Sequence, residues 1–82
     1  MTNTLFLLST SGCHLCEVAQ RELDNMRLKY EIIDIIDDDQ LVANYGDKIP
    51  VLIVEKTEQA LFWPFESQQI KQYIDHYGIS ST

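Results

Sequence analysis

The sequence contains no long hydrophobic run. Apolar stretches such as Leu5-Phe6-Leu7-Leu8 reach four residues before a polar residue or a proline interrupts them. A membrane-spanning helix needs about 20 apolar residues. A secretory core needs about 7–15 behind a positive flank, and no Lys or Arg precedes Leu5. Neither export nor a membrane partner is expected, and the chain reads as cytoplasmic. Basic residues are scarce as well: six Lys and Arg stand against thirteen Asp and Glu, a net charge of −7. Phosphate binding needs clustered cations, so nucleic acid is not an expected partner. With three glycines and two prolines there is no linker or low-complexity segment. The 45% hydrophobic and 23% charged composition of 82 residues fits one small domain spanning residues 1–82.

Cysteine is the last scarcity and the most informative one. There are two, in Cys13-His14-Leu15-Cys16. Two are too few to frame a disulfide scaffold or to complete a four-ligand metal or iron–sulfur centre from one chain, and no metal site is expected. In a reducing compartment such a pair is either redox-active or metal-binding rather than a static staple.

The pair sits at a change of pattern. Residues 5–9 are apolar and bounded by polar residues, as in a buried strand. After Ser11-Gly12, the residues Cys16, Ala19, Leu23 and Met26 recur at three- and four-residue spacings, the stripe of a helix facing a core. Residues 30–36, rich in Ile32, Ile33, Ile35 and Ile36, predict a second buried strand. Strand, helix and strand make a parallel βαβ unit. Asp37-Asp38-Asp39 then reads as a loop and N-cap for a short helix with Leu41, Val42 and Tyr45 on its apolar side and Gly46 at its end. Val51-Leu52-Ile53-Val54 predicts a third strand and Ala60-Leu61-Phe62-Trp63 a fourth, joined by a polar hairpin. A last helix begins at Glu66 or Ser67 and buries Ile70, Tyr73, Ile74 and Tyr77, with Gly78 and Ile79 closing it and a fraying Ser80-Ser81-Thr82 end. Phe6 and Phe62 read as core.

The order β-α-β-α-β-β-α, with Cys-x-x-Cys after the first strand and Ile49-Pro50 before the third, resembles the thioredoxin fold in its compact glutaredoxin form. The segment Thr10-Ser11-Gly12-Cys13-His14-Leu15-Cys16-Glu17, together with Phe62-Trp63-Pro64-Phe65, is similar to small bacterial glutaredoxin-like proteins. The resemblance covers nearly the whole chain. It implies an α/β domain with a four-stranded mixed sheet, and a dithiol–disulfide oxidoreductase with Cys13 as nucleophile and Cys16 as resolving thiol. It further implies a cis Pro50 whose neighbour Ile49 pairs with an extended substrate like an added strand, with Leu15 and Trp63 beside it. Physical chemistry agrees about Cys13: unpaired amides and the positive dipole end at a helix start favour a thiolate. Cys16, one turn later, stands at a spacing that allows a disulfide. His14, if protonated, adds a tuning charge beside Cys13; the alternative is a solvent-facing residue without consequence.

Two departures from the glutaredoxin pattern stand out. Lys48-Ile49-Pro50 replaces the usual Thr-Val-Pro. Trp63-Pro64-Phe65-Glu66 replaces the Gly-rich turn that holds glutathione, which argues against a glutathione site of the usual type. The aromatic residues there are either core or a hydrophobic lip for substrate, and Lys48 either steers a carboxylate or is solvated. The expectation is a monomer with no bound cofactor, acting on a disulfide in a protein or small molecule. Its reductant is glutathione or a thioredoxin-reductase-type protein. Two other classes stay open: a dimeric iron–sulfur or metal-binding glutaredoxin-like protein, and a non-catalytic binding module.

Overall fold

The computed structural model describes residues 4–57 and 59–77, so the expectations for Gly78, Ile79 and the Ser80-Ser81-Thr82 end lie outside the described residues. In chain order the elements are β1 (Leu5–Ser9), α1 (His14–Asn25), β2 (Glu31–Asp34), a 3-10 turn (Ile35–Asp37), α2 (Asp39–Tyr45), β3 (Val51–Val54), β4 (Ala60–Phe62) and α3 (Ser67–His76). The sheet order is β2-β1-β3-β4. β1 runs parallel to β2 with Leu7 opposite Ile32, and antiparallel to β3 with Leu7 opposite Leu52. β4 returns antiparallel with Leu61 opposite Leu52. This is the mixed four-stranded α/β sheet that the order of elements implied.

β1 and β3 are almost wholly apolar because they are central and covered on both faces. Leu5, Leu7, Leu52 and Val54 form one core with Ala19 and Leu23 of α1 and Ile70, Tyr73 and Ile74 of α3. Leu8 and Val51 point the other way and pack with Ile35, Leu41 and Tyr45. That second layer is thin, for α2 buries no residue completely and leaves Val42 exposed. Its start is as expected: the Asp38 carboxylate accepts the Gln40 and Leu41 amides at 2.9 and 3.3 Å.

Three sequence expectations need correction. Residues 30–36 are not one buried strand. Only Glu31–Asp34 is extended; the Asp34 carboxylate then accepts the Ile36 amide at 3.1 Å and turns the chain into the 3-10 segment. β2 is an edge strand, so Ile32 stays 51% exposed, and Ile36 in the 3-10 turn is 69% exposed. Phe6 is only half-buried and Phe62 is exposed rather than core. Alternation puts both on the face that short α2 covers incompletely.

α1 ends in a Schellman motif. The Arg27 amide donates to the Asp24 carbonyl at 3.0 Å, the Leu28 amide to the Leu23 carbonyl at 3.2 Å, and Leu28 packs in the same core as Leu23. Arg27 holds the left-handed position, φ 58°, that usually falls to glycine. At the far end of the fold the Tyr73 hydroxyl accepts the buried Val54 amide at 3.0 Å and donates to the Gln59 carbonyl. Tyr73 thus replaces a ladder partner where β4 runs out, since the pairing of β3 with β4 ends at Ile53 and Ala60. Burial raises the pKa of this phenol.

Candidate active site

The site is assembled where β1 hands over to α1. The Cys13 amide donates to the Thr10 carbonyl at 3.4 Å, closing a turn in which Gly12 takes φ +78°. A positive φ at the third turn position suits glycine for want of a Cβ. The turn delivers Cys13 to the N-cap of α1 with extended backbone, φ −85° and ψ 105°. A hydroxyl or carboxylate ordinarily caps a helix; here the acceptor is sulfur. Cys13 Sγ accepts the Cys16 amide at 3.2 Å, and the Cys13 carbonyl accepts the Glu17 amide at 3.2 Å. One of the orphan donors at the helix start is thereby aimed at the reactive atom.

Cys13 and Cys16 are joined as a disulfide with Cα atoms 5.2 Å apart, within the ordinary range for such a bond. They are unequal in access. Cys16 belongs to the buried stripe of α1 and is 1% exposed, whereas Cys13 is half-buried at the rim. His14, inside the motif, is 79% exposed with Nδ1 3.7 Å from Glu17 Oε2. The carboxylate offsets any charge the imidazole carries towards Cys13, and an exposed pair of this kind is weak.

The residues expected to meet substrate come together, with additions. The Ile49-Pro50 peptide is cis and Pro50 is fully buried. Beside it lies a groove of about 430 Å³ lined by Leu15, Asp47, Lys48, Ile49, Phe62 and Trp63. Leu15, Ile49 and Trp63 therefore share one surface, while Pro50 is not among its lining residues. Trp63 bears out the core reading of the aromatic segment and also has a face on the groove. It is half-buried against the main core, stands edge-on to buried Phe65 with centroids 5.1 Å apart, and still lines the groove. Lys48 is exposed, as the solvated reading expected, with Nζ 3.3 Å from Oδ1 of its exposed neighbour Asp47; such a surface pair is weak. Phe62 and Asp47 escaped the sequence reading. The run Ala60-Leu61-Phe62-Trp63 is apolar throughout and does not show which face is open, and nothing in the sequence marked Asp47. A second cis peptide, Trp63-Pro64, is likewise not among the sequence expectations.

Among the described residues no three His, Cys, Asp or Glu side chains converge as a metal site would require, and no helix is long and apolar enough to cross a membrane.

Residues 4–75 match the glutaredoxin-like domain family (DUF836). The chain belongs to that family. Its fold is thioredoxin-like, in agreement with solved structures. The crystal structure of the structural-genomics target XcR50 from X. campestris is 31% identical with a TM-score of 0.78, covering 89% of this chain and 97% of that one. The solution structure of XcR50 gives 29% identity and a TM-score of 0.81 over 94% and 99% of the two chains. Ne2328 from Nitrosomonas europaea is 27% identical with a TM-score of 0.67 over 89% and 92%. No protein with curated annotation is significantly similar. Family membership and the Cys-x-x-Cys pair together support a thioredoxin-fold redox role.

Proposed function

We propose that the protein is a dithiol–disulfide oxidoreductase of the cytoplasm in which Cys13 attacks and Cys16 resolves. One observation carries the reading: the half-buried Cys13 sulfur accepts a backbone amide at the N-terminus of α1, while its partner Cys16 is buried behind it. A hydrogen bond and a helix dipole aimed at one sulfur stabilise its thiolate, the form that attacks disulfides.

In the reduced protein the Cys13 thiolate attacks one sulfur of a substrate disulfide. A Cys13–substrate S–S bond forms, the substrate S–S bond breaks, and the departing thiolate takes a proton from water. Cys16 then loses its proton and attacks the Cys13 sulfur, closing the Cys13–Cys16 bond and expelling the second substrate thiolate, which is protonated in turn. Two electrons and two protons have passed to the substrate. An external thiol reductant, glutathione or a thioredoxin-reductase-type dithiol protein, returns the pair to the reduced state by the reverse exchange. The Ile49 amide is already donated to the Tyr45 carbonyl at 3.2 Å, so the two-sided strand pairing expected of Ile49 is reduced to its carbonyl as the group that would meet an extended substrate.

The test is trapping. Cys16→Ser is expected to accumulate a mixed disulfide with substrate, and Cys13→Ser to form none. Equal trapping by both variants, or a reduced protein whose Cys13 resists alkylation at neutral pH, overturns the assignment. Coupling to NADPH through glutathione and its reductase, or through a thioredoxin reductase, identifies the donor.

A further inference from the structure

We infer that the groove beside the cysteines selects a polypeptide cystine flanked by an apolar side chain and disfavours disulfides whose neighbouring groups are carboxylates, glutathione disulfide included. The inference rests on the redox reading above and adds the class of substrate.

Leu15 lies inside the redox motif, two residues after Cys13, and Ile49, Phe62 and Trp63 continue the wall away from it. Leu15 and Phe62 are 44% and 46% exposed and line the same groove, so two large apolar surfaces stand open together, one of them from within the redox motif, rather than scattered singly. At about 430 Å³ the groove has room for a side chain or two of an extended segment. Filling it with an apolar side chain removes both exposed faces from water.

Charge points the same way. Among the described lining residues Lys48 is the single cation, and its ammonium is already 3.3 Å from the Asp47 carboxylate. A ligand carboxylate has to share that ammonium with Asp47, in an exposed pair that attracts it only weakly. Glu17, 65% exposed on the first turn of α1, adds a further negative group by the motif. The net charge of −7 slows the approach of any anionic disulfide. Glutathione carries a carboxylate at each end and has no large apolar side chain to offer the groove.

The experiment is single-turnover oxidation of the pre-reduced protein, which needs no reductase: the Cys13–Cys16 dithiol becomes a disulfide as one substrate disulfide becomes two thiols. Four substrates are compared: hydroxyethyl disulfide, glutathione disulfide, and two peptide disulfides that differ only in Leu or Glu beside the cysteine. The Leu peptide is expected to react about tenfold faster than the Glu peptide, with glutathione disulfide near the slow end. In Phe62→Ser the Leu-to-Glu rate ratio falls towards one. In Asp47→Asn, which releases Lys48, the ratio narrows because the Glu peptide gains several-fold. Equal rates for the two peptides in the unaltered protein, or fastest oxidation by glutathione disulfide, overturn the inference and leave the redox reading standing. Failure of all four disulfides to oxidise the dithiol overturns both.

Discussion

Tyr73→Phe removes one oxygen atom from the core and isolates its contribution. That hydroxyl accepts the Val54 amide at 3.0 Å and donates to the Gln59 carbonyl. The substitution keeps the ring, including its packing against Tyr77 at 4.8 Å between centroids, so little apolar contact is lost. Val54 is 1% exposed, and its amide would be left without water or protein partner, which costs about 1–3 kcal/mol. Gln59 is exposed, so its carbonyl rehydrates at little cost. The expected loss is about 2 kcal/mol, a large share of the roughly 4–12 kcal/mol available to a domain this size. It corresponds to a fall in Tm of about 10 °C. Urea unfolding followed by circular dichroism measures it directly. Because Val54 closes β3 while Ile49 and Pro50 precede its start, disulfide exchange well below the melting transition should be unaffected. A loss below about 0.5 kcal/mol at unchanged denaturant slope would refute the account of this tyrosine as a surrogate strand partner.

Arg27→Gly relieves a left-handed residue at φ 58° in the α1 terminator and should raise stability by about 0.5–1 kcal/mol, read from the shift in denaturation midpoint. Gly12→Ala is expected to cost about 1 kcal/mol through backbone strain at φ +78°. A Cβ there meets nothing within 4 Å, so a measured loss above about 3 kcal/mol would indicate a clash the geometry does not contain. At alkaline pH stability should decline. Burial and the 2.9 Å bond to Asp24 lift the Tyr30 pKa to about 12, and burial also raises Tyr73. An unfolded tyrosine ionises near pH 10 while the folded protein still holds the proton. The contribution is therefore complete below about pH 10 and is lost as pH climbs through 10 to 12. Urea midpoints across that range, alongside phenolate absorbance, check the sign, and Tyr30→Phe should flatten the slope.

Much of the fold was legible because its signals are local. The spacing of Cys16, Ala19 and Leu23 names three residues that are indeed buried on one face of α1, and Ile70, Tyr73 and Ile74 do the same for α3. The apolar runs of β1 and β3 announce strands covered on both faces. Residues 30–36 misled because β-branched composition reports strand preference but not sheet position. An edge strand followed by an aspartate-driven turn looks identical in sequence to a buried one. Phe62 misled for a related reason: its exposure depends on how far α2, distant in sequence, extends over the sheet. The cysteine pair and Ile49-Pro50 could be read from motif and order. The meeting of Asp47 and Lys48 with Leu15 and Phe62 depends on long-range placement that no local pattern encodes.

The sulfur that holds the first turn of α1 in place is, on the proposed mechanism, also the atom that changes oxidation state in every cycle. An anionic acceptor grips the Cys16 amide more firmly than a neutral one, so the opening turn should tighten when Cys13 is a thiolate and slacken while it is tethered to a substrate. Hydrogen exchange at that single amide then becomes a clock hand for the reaction, visible without any added probe. The protein would announce its stage of turnover through the fraying of its own helix.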